Sequence, residues 1–344
     1  MILIRKLLFP FALLYGVITA IRNFLFDKGI LKSHRFQTPI IAVGNLSVGG
    51  TGKTPQIEYL IRMLQENYRV ATLSRGYKRK SKGFLLANSK ATVLDLGDES
   101  FQYFTKFPSL QVAVDANRVN GINQLLQLQH KPQVILLDDS FQHRYVHAGK
   151  YILLTAFNDL YVDDFMLPTG NLREFASSAK RAEIIIVTKC PSVLSETEMH
   201  NIKLKLKINK HQQLFFTSIT YADFVCSEMD EIVVETIKKL PKLLVTGIAK
   251  PNPFYDFLLN ENDDSLTFSD HHDFSNSDIN VINEKARDRI IVTTEKDFMR
   301  LKGKIPKDKL YYLPIKSTFI EKESEFIKIL LNYVEQSTGD RKLS

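Results

Sequence analysis

Two cysteines are few for 344 residues, and Cys190 and Cys226 stand far apart, with no CxxC and no clustered Cys/His spacing. That argues against a structural zinc site and a disulfide framework, and it suits a reducing compartment. The chain also lacks internal repeats and low-complexity segments. A free-standing membrane span is missing as well. Spanning a bilayer takes about 20 apolar residues, and the run Leu7 to Ile21 (LLFPFALLYGVITAI) falls short and contains Pro10 and Gly16. No convincing small-x-small cleavage site follows it, so it is a poor signal peptide. With Arg5 and Lys6 before it and Arg22, Lys28, Lys32 and Arg35 after it, it is expected to form a membrane-surface helix pair. Its apolar side would face the acyl boundary and its basic residues anionic headgroups. A buried N-terminal core helix is the alternative.

The length instead suggests two α/β domains. An apolar content of 44% suffices for sizeable cores. Lysine and arginine outnumber aspartate and glutamate by 46 to 38, a net charge of +8 that implies an anionic partner. The basic residues are dispersed and no nucleic-acid motif accompanies them.

The organising stretch is Pro39 to Pro55, PIIAVGNLSVGGTGKTP. An apolar β-rich run leads into Gly49-Gly50-Thr51-Gly52, then Lys53-Thr54, then a segment with apolar residues at helical spacing (Ile57, Leu60, Ile61, Leu64). Strand, glycine loop and helix form the geometry of a phosphate-binding P-loop, here Ser47, Val48, Gly49, Gly50, Thr51, Gly52, Lys53 and Thr54. Loop amides and the helix N-terminus would hold phosphate oxygens. Lys53 would reach the β- and γ-phosphates, and the Thr54 hydroxyl would ligate Mg²⁺. Ser47 stands where the general motif has glycine.

Further along, Arg69–Leu73, Gln111–Val114, Gln133–Leu137, Tyr151–Thr155 and Glu183–Val187 read as strands alternating with helices, hence a doubly wound parallel sheet. Gln133–Leu137 ends in Asp138-Asp139, the form of a Walker B element, so a bound Mg²⁺ is expected there. In the second half, Lys242–Val245 and Arg289–Val292 read as strands, and Glu321–Val334 as a closing amphipathic helix. Leu214–Ile219 and Leu310–Leu313 are expected to pair as a β ribbon linking the domains. The expected division is a helical membrane-associating segment at 1–35, a P-loop domain at 36–210 and a smaller α/β domain at 211–344.

Phosphoryl transfer to an alcohol needs a group that orients the hydroxyl and accepts its proton. Asp98, in Gly97-Asp98-Glu99, is the candidate. Arg75, Arg118, His143, Arg144 and Arg173 lie on separate loops at the expected ligand edge and together would clamp an anion. Asp270-His271-His272-Asp273 is either a polar site or an exposed loop, and Thr294-Glu295-Lys296-Asp297 fits a helix cap. A P-loop ATPase or GTPase switch is the alternative to a kinase. A guanine-reading NKxD loop is absent, because Val187-Thr188-Lys189-Cys190 has neither the Asn nor the Asp.

GNLSVGGTGKTP, SRGY, GDE, DDxFQHR, LPxGxLRE, TGIAxPxxF, FxDHHxF and TTEKD occur here in this order. Together with the apolar, basic N-terminus they resemble the tetraacyldisaccharide 4′-kinases of lipid A biosynthesis, over nearly the whole chain. The serine opening the P-loop is similar to that family's. The resemblance implies transfer of the γ-phosphate of ATP, with Mg²⁺, to the 4′-hydroxyl of a tetraacyldisaccharide 1-phosphate. It also implies a peripheral protein of the cytoplasmic face of the inner membrane, with no obligate protein partner. Under it Asp98 looks like the catalytic carboxylate, supported by Asp139, and the proton's destination stays open between the two, since a coupled pair titrates as a unit. Lys53, Thr54 and Asp138 look like phosphate and Mg²⁺ contacts. Arg75, Tyr77, Arg118, His143 and Arg173 look like headgroup contacts, and His271 like a residue that approaches the nucleotide when the domains close. Ser140 and Ser100 depart from the family's usual glycine and proline.

Overall fold

A computed structural model describes residue 5, residues 7–270 and residues 272–338. Its first sheet is made by Ile40–Asn45 (β1), Val70–Ser74 (β2), Leu85–Leu86 (β3), Gln111–Val114 (β4), Val134–Asp138 (β5), Lys150–Ala156 (β6), Ile184–Cys190 (β7) and Gln213–Tyr221 (β8), with Ile315–Phe319 (β15) at one edge. Strands β1, β2 and β5 are buried along their whole length, as parallel strands covered on both faces must be. The strand order is β15-β8-β7-β6-β1-β5-β2-β4-β3, parallel except at the β3 and β15 edges. Strand β1 therefore lies between β5 and β6, where the chain reverses its direction of winding. That is where an open α/β sheet takes its ligand. The register sets Val43 beside Asp138, so the P-loop and the aspartate pair leave the sheet side by side.

Residues alternate between the two faces of β1. Ile41 and Val43 meet Ile57, Leu60, Ile61 and Leu64 of Lys53–Gln65 (α2), the helix that opens after the P-loop. Ile40 and Ala42 pack on the opposite face with Ile122 and Leu125. The helix Glu323–Thr338 buries Phe326, Leu330 and Val334, one stripe at i, i+4, i+8, on the same core as α2.

The second sheet runs Glu231–Val233 (β10), Phe224–Cys226 (β9), Leu310–Leu313 (β14), Ile290–Thr294 (β13), Lys242–Thr246 (β11) and Asp264–Thr267 (β12) in space, with β11 to β14 parallel. The expected pairing of Leu310–Leu313 with Leu214–Ile219 is not what forms. Strand β14 lies inside the second sheet beside β13, and β8 pairs antiparallel with β15, Ile315 opposite Tyr221. Strand β14 (LYYL) is too thoroughly buried for a ribbon, whereas β15 (IKSTF) turns Ser317 and Phe319 inward and Lys316 and Thr318 outward. Its weak alternation hid the partner. Residues 315–338 thus return to the first sheet.

Before β1, Phe9–Asp27 (α1) forms the longer helix of the N-terminal segment, and a turn follows at Lys28. Pro10 sits in its first turn, where a missing N–H is tolerated. At Gly16 a Cβ would stand 2.6 Å from Phe175 Cζ, so the glycine is what lets the helix lie down. Arg22 donates to Gln142 O at 2.7 Å, and Arg144 ties to Asn23 O and Asp27. The outer side leaves Phe11, Leu14 and Ile18 more than half exposed. Among the described residues α1 is the one helix long and apolar enough to cross a membrane.

Candidate active site

Backbone geometry makes the phosphate loop. Gly49 (φ 114°) and Gly52 (φ 80°) occupy left-handed conformations that a side chain would strain, and Gly52 caps α2. The loop is tied down on both sides. Val48 N donates to Asn171 O at 2.8 Å, and Thr188 Oγ1 to Thr51 O at 2.8 Å. Lys53 Nζ donates to Asn45 Oδ1 at 3.2 Å and lies 3.7 Å from Asp139. Arg173 grips Asp139 with two bonds of 2.8 and 3.0 Å and also donates to the Asn45 carbonyl at 3.0 Å.

The adjacent aspartates are opposites electrostatically. Burial, then the charges of Asp139 and Glu99, pushes Asp138 up to about 6. Burial also acts against ionised Asp139, but Lys53 and Arg173 outweigh it and bring that carboxyl down to about 2. Asp138 accepts one bond, from the Tyr103 hydroxyl at 3.1 Å, and its buried Oδ1 has no hydrogen-bond partner. Asp139 adopts φ 48°, so the chain turns sharply where the two carboxylates diverge.

Asp98 opens the helix Asp98–Lys106 (α3) behind Gly97, where a Cβ would meet Tyr77 O at 2.6 Å. It is paired with Arg300, which reaches over from Glu295–Leu301 (α5) of the second sheet's side and lies 3.5 Å from Asp297. Near Asp138 and Asp139 lies a group of cations. Arg118 is 2% exposed and donates to Asp115 O, and burial brings its pKa down to about 10. His143 bonds to Ala116 O, and burial, then Arg118, Arg22 and Arg75, lowers its pKa.

The tetraacyldisaccharide-1-P 4′-kinase (LpxK) family matches residues 4–335. The chain belongs to that family. The tetraacyldisaccharide 4′-kinase of Flavobacterium johnsoniae is 61% identical over 335 residues, 97% of this chain and 98% of its own. That of Bacteroides thetaiotaomicron is 43% identical, covering 99% and 96%. LpxK from Aquifex aeolicus, solved as an "apo" form in complex with ATP, has a TM-score of 0.79 at 30% identity, covering 96% of this chain and 99% of that one.

In this kinase the P-loop, Asp138, Asp139 and Arg173 meet at one edge, and Arg75, Arg118 and His143 form a second group near Asp138 and Asp139. Tyr77 lies against Gly97, with its ring exposed. His271 lies outside the described residues. Its neighbour His272 is used locally, bonded to Asp278 at 3.0 Å and stacked on Phe268. Arg144 does not join a clamp, since Asp27 and the Phe26 ring occupy it. The donors fit Mg²⁺. Asp138 offers a buried, unpartnered carboxylate oxygen close to the helix bearing Thr54. Among the described residues no cluster of three His, Cys, Asp or Glu exists, as suits an ion whose shell is completed by phosphate and water. Asn45, Tyr103 and Arg300 carry the site's geometry and were not singled out from the sequence. Asn45 alone left a sign, as a polar residue ending a wholly buried strand.

Proposed function

We propose that this site transfers the γ-phosphoryl group of ATP to the 4′-hydroxyl of tetraacyldisaccharide 1-phosphate, with Asp98 receiving the hydroxyl proton. The observation that carries the assignment of roles is the meeting of a P-loop and a Walker B aspartate pair at one sheet edge, with Arg118, Arg75 and His143 grouped near it and Glu99, the neighbour of Asp98, acting on Asp138. Loop amides and Lys53 hold the β- and γ-phosphates in line with the acceptor. Asp139 fixes Lys53 and Arg173 in place. Thr54 and Asp138 would hold Mg²⁺, which would supply positive charge to the polyphosphate. Arg300 presents Asp98 as a carboxylate, and the second domain must shift to let the hydroxyl approach. The cationic group meets the sugar headgroup and its 1-phosphate.

Labelled lipid is expected from γ-labelled ATP, Mg²⁺ and the acceptor in mixed micelles, with losses of about 10³-fold or more in Asp98→Ala and Lys53→Ala. Release of free phosphate alone by wild type would replace the kinase with a hydrolysing switch.

The acceptor's acyl chains keep it in a bilayer, so the enzyme works at that surface, on the cytoplasmic face of the inner membrane where ATP is found. The apolar outer side of α1 and the basic residues near it supply the docking. Co-sedimentation with anionic vesicles, weakened by salt and released by detergent, is expected. A protein that stays in the supernatant at low salt would sink the docking role.

A further inference from the structure

Lys189 is the residue of the nucleotide edge that the reaction above does not use. It stands at the end of β7, where the register with β8 slips between Val187 and Cys190, and it holds φ 57°. Bulges beside active sites redirect side chains, and a non-glycine residue in this region is retained only where its surroundings impose it. The residue before it does so. Thr188 is bonded through its hydroxyl to Thr51 O and through its carbonyl to Phe157 N, so the end of β7 is fastened to the P-loop. The turn thus created sends the ammonium across the loop, 3.6 Å from where a Cβ on Gly50 would stand.

The charge there is poorly compensated. Partial burial, then Lys250 and Lys296, lowers the Lys189 pKa. Both of those lysines come from the second domain, in the TGIAK and TTEKD segments. Asp159 acts against this lowering but is shared with Lys250, to which it is paired at 3.2 Å, and Lys296 lies 3.8 Å from Glu99. A left-handed backbone, an ammonium over a phosphate-loop glycine and two like charges converging on it describe a place that lacks an anion.

We propose that Lys189 is a second ammonium ligand for the polyphosphate of the nucleotide, laid over the loop at Gly50. The assignment rests on the ATP-dependent reading of the site, and it makes Lys189 a binding residue, not a group that moves a proton.

The conformation of Lys189 supplies its own control. Glycine is unstrained at φ 57°, so Lys189→Gly removes the charge and keeps the turn. Binding of a non-hydrolysable ATP analogue with Mg²⁺ is measured by calorimetry for wild type, Lys189→Gly, Lys189→Met and Lys189→Arg. Loss of one charge-assisted contact predicts affinity lower by about tenfold in the Gly and Met variants. Lys189→Arg is expected within about threefold of wild type, because it keeps the charge. In turnover the loss should appear in the KM for ATP, with kcat changed by less than about threefold. The Gly variant should melt at or above the wild-type temperature. Wild-type affinity in Lys189→Gly overturns the proposal, and so does a loss that follows a lowered melting temperature or that appears in kcat alone. Nucleotide binding is read without the lipid, so failure of the lipid assignment leaves this result standing.

Discussion

Two of the aspartates with buried side chains, one at each sheet, are treated in opposite ways. Asp263, beside β11 of the second sheet, has a side chain with no exposure and three donors. Lys242 Nζ lies at 2.6 Å, Lys242 N at 3.0 Å and Asn260 N at 2.8 Å. Asp138, ending β5 of the first, has one donor, Tyr103, and a second oxygen with none. A buried polar group left short of partners costs free energy. The fold tolerates that cost at the carboxyl edge of the first sheet and removes it in the second. Where polar capacity is held in reserve, the molecule binds. Where it is closed on itself, the molecule is held together.

The sharpest way to break that comparison is to make the same change at both places. Asp138→Asn should lower transfer by about 10³-fold, since it removes the carboxylate that would hold the phosphate-bridging ion. Its stability in urea should match or exceed wild type, because the change removes a poorly compensated buried charge. Asp263→Asn strands the Lys242 ammonium in the core and should cost about 3–5 kcal/mol, with activity per folded molecule retained. If Asp138→Asn unfolds readily, or Asp263→Asn is inactive while folded, the division between the two sites fails.

That division was half visible in the sequence. The P-loop is local, with strand, glycines and helix within a few turns of chain, so PIIAVGNLSVGGTGKTP could be read without the fold. Asp138 and Asp139 were visible for the same reason, at the end of a continuous apolar run. Contacts made by the second sheet on the first were not. Arg300 meets Asp98 across 202 positions of sequence, and nothing about an arginine late in a helix names its partner. Lys189 was visible within VTKC, but only as a failed guanine reader. No residue type signals a left-handed lysine, since its conformation comes from the slipped β7–β8 register. The edge strand β15 was hidden by its mixed, half-buried pattern, and Pro10 did not break α1 because it falls where a helix accepts it.

A third buried carboxylate lies between the two regions and allows a smaller, finer test. Lys106 of α3 is shared by Glu58 of α2 at 2.6 Å and Glu295 of α5 at 2.5 Å, one cation for two carboxylates that join the two sheets. Burial, then the charge of Glu58, pushes the Glu295 carboxyl up to about 7, against the pull of Lys106 and Arg62. Unfolded, Glu295 would titrate near its ordinary value of 4.5. Between those values the folded protein binds the extra proton, so this group's contribution is complete at low pH and is lost as pH rises through about 7. The slope from one proton is at most about 1.4 kcal/mol per pH unit. Asp138, also raised, acts in the same direction, so the informative quantity is a difference between two proteins. Urea unfolding of wild type and Glu295→Gln from pH 5 to pH 8 should converge at the acid end, with the wild type losing more stability on the way up. Glutamine keeps a neutral acceptor for Lys106 while Glu58 retains the ion pair. Parallel profiles would mean that Glu295 stays ionised throughout, and that the join between the two sheets is as fully satisfied as Asp263.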